Sequence, residues 1–165
     1  MPRSKRIYII NSELIFTEDD PKEFEFTERI IINATNEKEK TVEFFAKLGL
    51  IGNHLECEIC QNPMSLVRIK RNQSPFVWVC SKPCRRTISI MKNSFFEKLN
   101  IPLDRFLLMI YKYFKREEIN EISRELDINR KTIGNHFDFI REIIANGMGG
   151  IRWGLMGWMK TEIKK

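Results

Sequence analysis

From Pro102 onward the apolar residues recur at helical spacing. Leu103, Phe106, Leu107, Ile110, Tyr111 and Phe114 stand three or four positions apart, which places them on one face of a helix. A second helix is predicted over 117–126, with Ile119, Ile122 and Leu126 facing inward. Asp127-Ile128-Asn129 then makes a tight turn. A third helix runs from Arg130 to about Ala145, burying Ile133, Phe137, Ile140 and Ile144 and ending at Gly147, Gly149 and Gly150. Before Pro102 the pattern is that of strands. Met64–Ile69, Phe76–Cys80 and Thr87–Ile90 are β-rich, and Asn72–Pro75 is a turn. Thr41–Leu48 reads as a short helix capped by Thr41, with Val42, Phe45, Ala46 and Leu48 as its apolar face and Gly49 as its end. Nearer the N-terminus Ile7–Ile10 and Arg29–Ile32 read as strands around an acidic Thr17–Pro21 turn, and Asn33–Lys40 reads as a linker.

The four cysteines explain how so short a β segment could fold. Cys57 and Cys60 form a CxxC pair, Cys80 and Cys84 a CxxxC pair, and nineteen residues separate the pairs. A segment this small cannot bury enough apolar surface to fold alone. Two chelating pairs at this spacing suit one tetrahedral zinc ion held by four thiolates, which leaves no position for water and so makes the ion structural. Such bonding supplies on the order of 10–16 kcal/mol in small zinc peptides, so metal binding and folding are coupled. Phe76, Trp78, Ile88 and Ile90 would pack beneath the ion. His54, three residues before Cys57, is left out of the ligand set because the cysteines already number four. The fold class is therefore α+β, a small β zinc ribbon followed by a three-helix helix-turn-helix module. The divisions fall at an acidic segment 1–40 with no assigned role, a helix plus ribbon over 41–98, the helical module over 99–147 and a Gly/Trp tail over 148–165.

Charge adds a partner to this picture. The net charge of the 165 residues is +6, yet residues 62–98 hold eight bases (Arg68, Lys70, Arg71, Lys82, Arg85, Arg86, Lys92, Lys98) against the single acid Glu97. Residues 11–43 hold ten acids against four bases. A basic block beside an acidic one suggests a polyanion for the former. A hydrophobic fraction of 42%, with 12 phenylalanines, supports a folded core. No run of about 18 apolar residues is present, so no membrane partner is expected. Ile7–Ile10 is too short for the core of a signal peptide. The expected location is intracellular, nuclear in a eukaryote and cytoplasmic otherwise.

Residues Glu117–Arg141 carry the apolar spacing of a helix-turn-helix: Ile122 and Leu126, then Ile128 in the turn, then Ile133 and Phe137. Ser123 occupies the place where a small residue lets the helices approach, and Asn129 can cap the third helix. The outer face of that helix then presents Arg130, Lys131, Thr132, Asn135 and Arg141. Helix N-terminal amides favour phosphate, while arginine and asparagine reach base edges. His136 is expected to be exposed and neutral.

Together these residues resemble the N-terminal region of Merlin-type DDE transposases, relatives of a bacterial insertion-sequence family, over about Val42 to Ile144. The resemblance rests on Phe44-Phe45-Ala46-Lys47-Leu48-Gly49-Leu50, Cys57-x-x-Cys60 and Met64-Ser65-Leu66. It continues through Trp78-x-Cys80-x-x-x-Cys84-Arg85, Ser89-Ile90, Ser94-Phe95-Phe96-Glu97 and Arg130-Lys131-Thr132. It puts glycine where this chain has Gln61, Asn93 and Asp127, which implies left-handed backbone at all three. In that family a ribonuclease-H-like domain follows, whose three carboxylates hold two metal ions. Here only Asp138, Glu142 and Glu162 lie beyond the helix turn, so DNA recognition is expected and catalysis is not. The implied DNA is the terminal inverted repeat of a transposable element. A homodimer and a protein partner stay open, and the alternative readings are a zinc-ribbon docking module or an RNA binder that stacks bases on Phe76, Trp78 or Phe95.

Overall fold

A computed structural model describes residues 6–15, 27–70, 74–81 and 83–145, except for the side chains of 143–145. The expected Thr17–Pro21 turn, the first half of the Asn72–Pro75 turn, the inward Ile144 side chain, the helix-ending glycines 147, 149 and 150 and the 148–165 tail lie outside them. In chain order the structure has a 3-10 turn (Ser12–Leu14), helices α1 (Glu28–Thr35) and α2 (Lys38–Lys47), and strands β1 (Ser65–Arg68), β2 (Phe76–Val79) and β3 (Thr87–Ser89). Helices α3 (Leu103–Phe114), α4 (Ile119–Leu126) and α5 (Arg130–Ala145) complete it. The class is α+β, as expected.

The strands form one antiparallel sheet in the order β1-β2-β3. Leu66 faces Trp78 and Trp78 faces Ile88, so one line of apolar side chains crosses all three strands. Phe76, Trp78, Ile88 and Ile90 are all buried. The remaining core joins this sheet to the helices without a break. Phe96 is fully buried, with its ring 4.5 Å from that of Phe45 on α2 and 5.7 Å from that of Phe106 on α3.

The N-terminal part departs from the sequence reading. Arg29–Ile32 is not a strand but lies in α1, which packs against α2 and α3. The β-branched run Ile30-Ile31-Ile32 favours a strand locally, but Ile31 and Ala34 are buried three residues apart, and that packing decides for a helix. Asn33–Lys40 is likewise no linker; it holds the end of α1 and the start of α2. Thr41 does not cap α2. It lies inside the helix, fully buried, and its hydroxyl donates to the Ala34 carbonyl at 2.8 Å, tying α2 to α1. Gly49 does end this helix, with φ 68°.

Ile7–Ile10 forms no strand. Arg6 makes a single bridge to Leu66, and Ile9 and Ile10 are buried. Asn53 holds them there. Its carbonyl oxygen Oδ1 accepts from the Ile10 amide at 2.8 Å, its Nδ2 donates to the Ile10 carbonyl at 2.9 Å, and its backbone carbonyl accepts from the Ile9 amide at 3.0 Å. One buried side chain thus does the work of a strand partner. Replacing Asn53 by alanine is expected to strand two backbone groups of Ile10 and cost about 2–4 kcal/mol, read from chemical denaturation midpoints.

The later helices follow the sequence more closely. Leu103, Phe106, Leu107 and Ile110 are buried on α3, Ile122 and Leu126 on α4, and Ile133, Phe137 and Ile140 on α5. Tyr111 and Phe114 are half-buried. Ile119, expected inward, is 37% exposed because it is the first residue of α4, ahead of the turn that packs. Lys112 on α3 keeps only 12% of its side chain exposed and pairs with Glu117 and Glu125 at 2.8 and 2.6 Å. Burial opposes its charge, but the two carboxylates prevail and raise its pKa above the ordinary lysine value.

Candidate metal centre and nucleic-acid interface

Each cysteine pair sits in a tight turn built by its own backbone. In the first, Cys57 N–H donates to Asn62 at 3.0 Å and Gln61 N–H to Cys57 at 2.8 Å, while Glu56 and Pro63 form a bridge. In the second, Cys80 N–H donates to Arg86 at 2.8 Å and Arg85 N–H to Ser81 at 3.3 Å. The residue after the second cysteine of each pair is left-handed: Gln61 at φ 56° and Arg85 at φ 49°. Of the three positions where the resemblance implies such backbone, Asn93 and Asp127 also have it, at φ 58° and 51°. Arg85 carried no signal of this kind in the sequence.

The two turns bring the four sulfurs together. All Sγ atoms of Cys57, Cys60, Cys80 and Cys84 lie within 4.8 Å of one another, and Cys60 and Cys80 are 3.5 Å apart. A tetrahedral ion with metal–sulfur bonds of about 2.3 Å requires sulfurs about 3.8 Å apart, and the cluster fits it. The donor chemistry agrees. Backbone amides of Cys60 and Ile59 point at the Cys57 sulfur and lower its pKa to about 6, against the opposing effect of burial. Burial pushes Cys80 up to about 12, and the neighbouring sulfurs act in the same direction. The hydrogen bond with Cys60, then burial, raises Cys84. The Cys57 thiolate beside the Cys80 and Cys84 thiols, which resist ionisation, makes a set that a cation would complete, because its charge offsets the thiolate repulsion. His54 is exposed, with its ring 5.9 Å from that of Tyr8, and takes no part in the cluster.

Comparison with protein families, curated proteins and solved structures found no match.

The basic block is less free than its charge count suggests. Arg68 pairs with Glu39 of α2 at 2.5 Å. Arg86 and Lys92 both pair with Glu58 at 3.0 Å, and Lys92, then Arg86, lowers the pKa of that carboxyl. Glu58 lies between Cys57 and Cys60, so it joins the first cysteine turn to the second. Glu58 precedes the basic block in sequence and meets it only in space. Lys70 and Arg85 are exposed, and Arg85 has no ion pair among the described residues. Arg71 and Lys82 lie outside the described residues.

Helices α4 and α5 meet through the expected three-residue turn. Asp127 takes the left-handed conformation, and its carbonyl accepts from Arg105 of α3 at 3.2 Å. The Ser123 hydroxyl donates to the Ile128 carbonyl at 2.7 Å, and the Ile128 amide donates back to the Ser123 carbonyl at 3.2 Å. Ser123 is therefore small and also bonded to the turn it permits. The Asn129 side chain accepts from the Lys131 amide at 2.8 Å and caps α5. Arg130, Lys131 and Asn135 are exposed at the start of α5 and Thr132 is partly so. Arg130 donates to Asn120 of α4 at 3.1 Å, and Arg141 pairs with Asp138. His136 is not exposed but half-buried, with its ring 5.7 Å from that of Phe106. Burial lowers its pKa below the ordinary histidine value, which favours the neutral form.

Proposed function

We propose that this chain is a DNA-binding protein in which a zinc ribbon grips phosphates and a helix-turn-helix formed by α4 and α5 reads bases. The observation that carries the reading is the start of α5. An asparagine cap fixes its first turn, and Arg130, Lys131 and Asn135 stand exposed together just beyond it. Those side chain types at a helix N-terminus suit both phosphate and the major groove. Zinc is the ion that best fits four thiolates at this spacing and in the closed arrangement of a structural site. The resemblance to Merlin-type transposases fits the same reading, with terminal inverted repeats as the DNA and no strand chemistry assigned to these residues. Selection from a random DNA pool by purified, zinc-loaded protein tests it. A defined recovered sequence is the expected result, and recovery of no preferred sequence refutes base reading.

One observation favours a second reading, a protein-docking role for the ribbon: Glu39 and Glu58 already pair three of its cations. Salt dependence separates the two, because phosphate contacts release counterions. Arg130→Ala is expected to cost roughly 1–3 kcal/mol on the selected site and to flatten sequence preference. Arg85→Ala is expected to weaken all duplexes alike and reduce the salt slope by about one unit. Binding of both variants to selected and scrambled duplexes over a salt series is the measurement. If neither variant changes DNA binding, the docking reading replaces the first.

A further inference from the structure

Two cations of the ribbon converge on a single carboxylate. Arg86 Nη1 donates to Glu58 Oε2 and Lys92 Nζ donates to Glu58 Oε1, each at 3.0 Å. The three residues come from separate stretches: Glu58 stands in the first cysteine turn, Arg86 follows the second, and Lys92 follows β3. Both cations sit on held backbone. The Arg86 carbonyl accepts from the Cys80 amide at 2.8 Å, and the Lys92 amide donates to the Ser89 carbonyl at 3.1 Å. Neither tie runs through Glu58, so the backbone that carries the cations does not depend on the carboxylate. The arrangement is a two-cation anion site filled by the chain's own side chain. It is also open: the side chains of Arg86, Lys92 and Glu58 are 43%, 36% and 53% exposed. Ion pairs at such exposure are weak, because water screens them and long side chains lose freedom in making them. A phosphodiester presents two anionic oxygens much as a carboxylate does, and arginine and lysine both bind it.

We propose that Arg86 and Lys92 form one phosphate site, which Glu58 fills in the free protein and yields to a DNA phosphate on binding. The inference rests on the DNA-binding reading given above and adds a built-in competitor to it. Every phosphate contact at this site first breaks the two pairs to Glu58, so the ribbon grips DNA less tightly than its cations allow. The exchange is blind to sequence, because a phosphate carries no base information. Glu58 therefore lowers the background grip on any duplex and leaves the choice among sequences to α5. Glu56 serves as an internal comparison. It is exposed next to Cys57, and it has no ion pair among the described residues.

The test is Glu58→Gln beside Glu56→Gln in the full, zinc-loaded chain, with binding to the selected and scrambled duplexes followed over a salt series. Each variant removes one negative charge, and only the first frees two cations. Glu58→Gln is expected to raise affinity for both duplexes about threefold to tenfold and to steepen the salt slope by about one unit. Glu56→Gln should raise affinity less than about twofold, since an unpaired acid acts only through a screened field. Arg86→Ala supplies a second measurement. Its loss of affinity should be larger in the Glu58→Gln chain than in the wild type, because no pair to Glu58 is then broken. Zinc content and melting temperature accompany each variant. Equal gains from the two glutamine variants would reduce the effect to net charge, and the inference fails while the DNA-binding reading stands. Unchanged or weaker binding by Glu58→Gln overturns it too, with or without loss of zinc, because Glu58 is then a brace between the cysteine turns and no competitor. Equal losses from Arg86→Ala in the two backgrounds also overturn it. If the wild-type protein binds no duplex, both the inference and the reading beneath it fall.

Discussion

Cys80→Ser is expected to unfold the whole described core in one transition rather than the sheet alone. Cys80 is buried, and its sulfur lies 3.5 Å from that of Cys60. Losing a thiolate from a four-thiolate zinc site removes much of the metal free energy, and the gross value in small zinc peptides rivals the total stability of an ordinary domain, about 5–15 kcal/mol. From the sequence alone, a self-contained ribbon would unfold and leave the helices after Pro102 intact. The packing argues otherwise. Ile88, Ile90 and Met91 belong to the same buried cluster as Leu103, Phe106 and Ile110. Helical circular dichroism and tryptophan emission, followed together during melting of the variant and of chelator-treated protein, check this. Coincident curves are expected. A helical signal that persists after the tryptophan signal has changed would restore two separate modules. A protein purified with no zinc and yet fully folded would remove the metal from the account.

Phe96→Ala should be nearly as damaging, at about 3–5 kcal/mol. The ring is fully buried and touches rings from three directions: Phe45 at 4.5 Å, Phe95 at 5.1 Å and Phe106 at 5.7 Å. It fills the junction between the segment leaving β3, helix α2 and helix α3, so truncation opens a cavity that no single element can close. Phe96→Leu retains most of that volume and should cost about 1.5 kcal/mol or less. Urea denaturation of both variants measures the difference. The consequence reaches the proposed DNA interface. Phe95 is bound to the same aromatic set and lies 5.5 Å from Phe139 on α5, so this junction also sets where α5 stands relative to the sheet. Equal losses from the two variants would show that the site collapses freely and that Phe96 is no keystone.

Several features could be read from local sequence because local physics decides them. The cysteine spacing announced the cluster, since two short turns are all that a chelating pair needs. The three later helices were legible from their apolar period, and α5 begins at Arg130 as expected and is helical through Ala145, the last described residue. Its asparagine cap involves a bond over only two residues, within reach of sequence reasoning. The left-handed residues Gln61, Asn93 and Asp127 could be anticipated for the same reason.

Contacts distant in sequence decided the rest. The run Ile30-Ile31-Ile32 has strand character by itself, and only packing on α2 and α3 makes it helical. Thr41 has the chemistry of a cap, but it is buried inside α2 and its hydroxyl found the Ala34 carbonyl. Asn53 reaches back 43 positions to hold Ile10, a pairing that no window of sequence contains. The charge block looked free because its partners, Glu39 and Glu58, lie outside it in sequence and beside it in space. Periodicity, capping and turn chemistry act over a few residues and so are written along the chain. Burial and ion pairing depend on which distant surfaces meet, and those meetings exist only once the fold does.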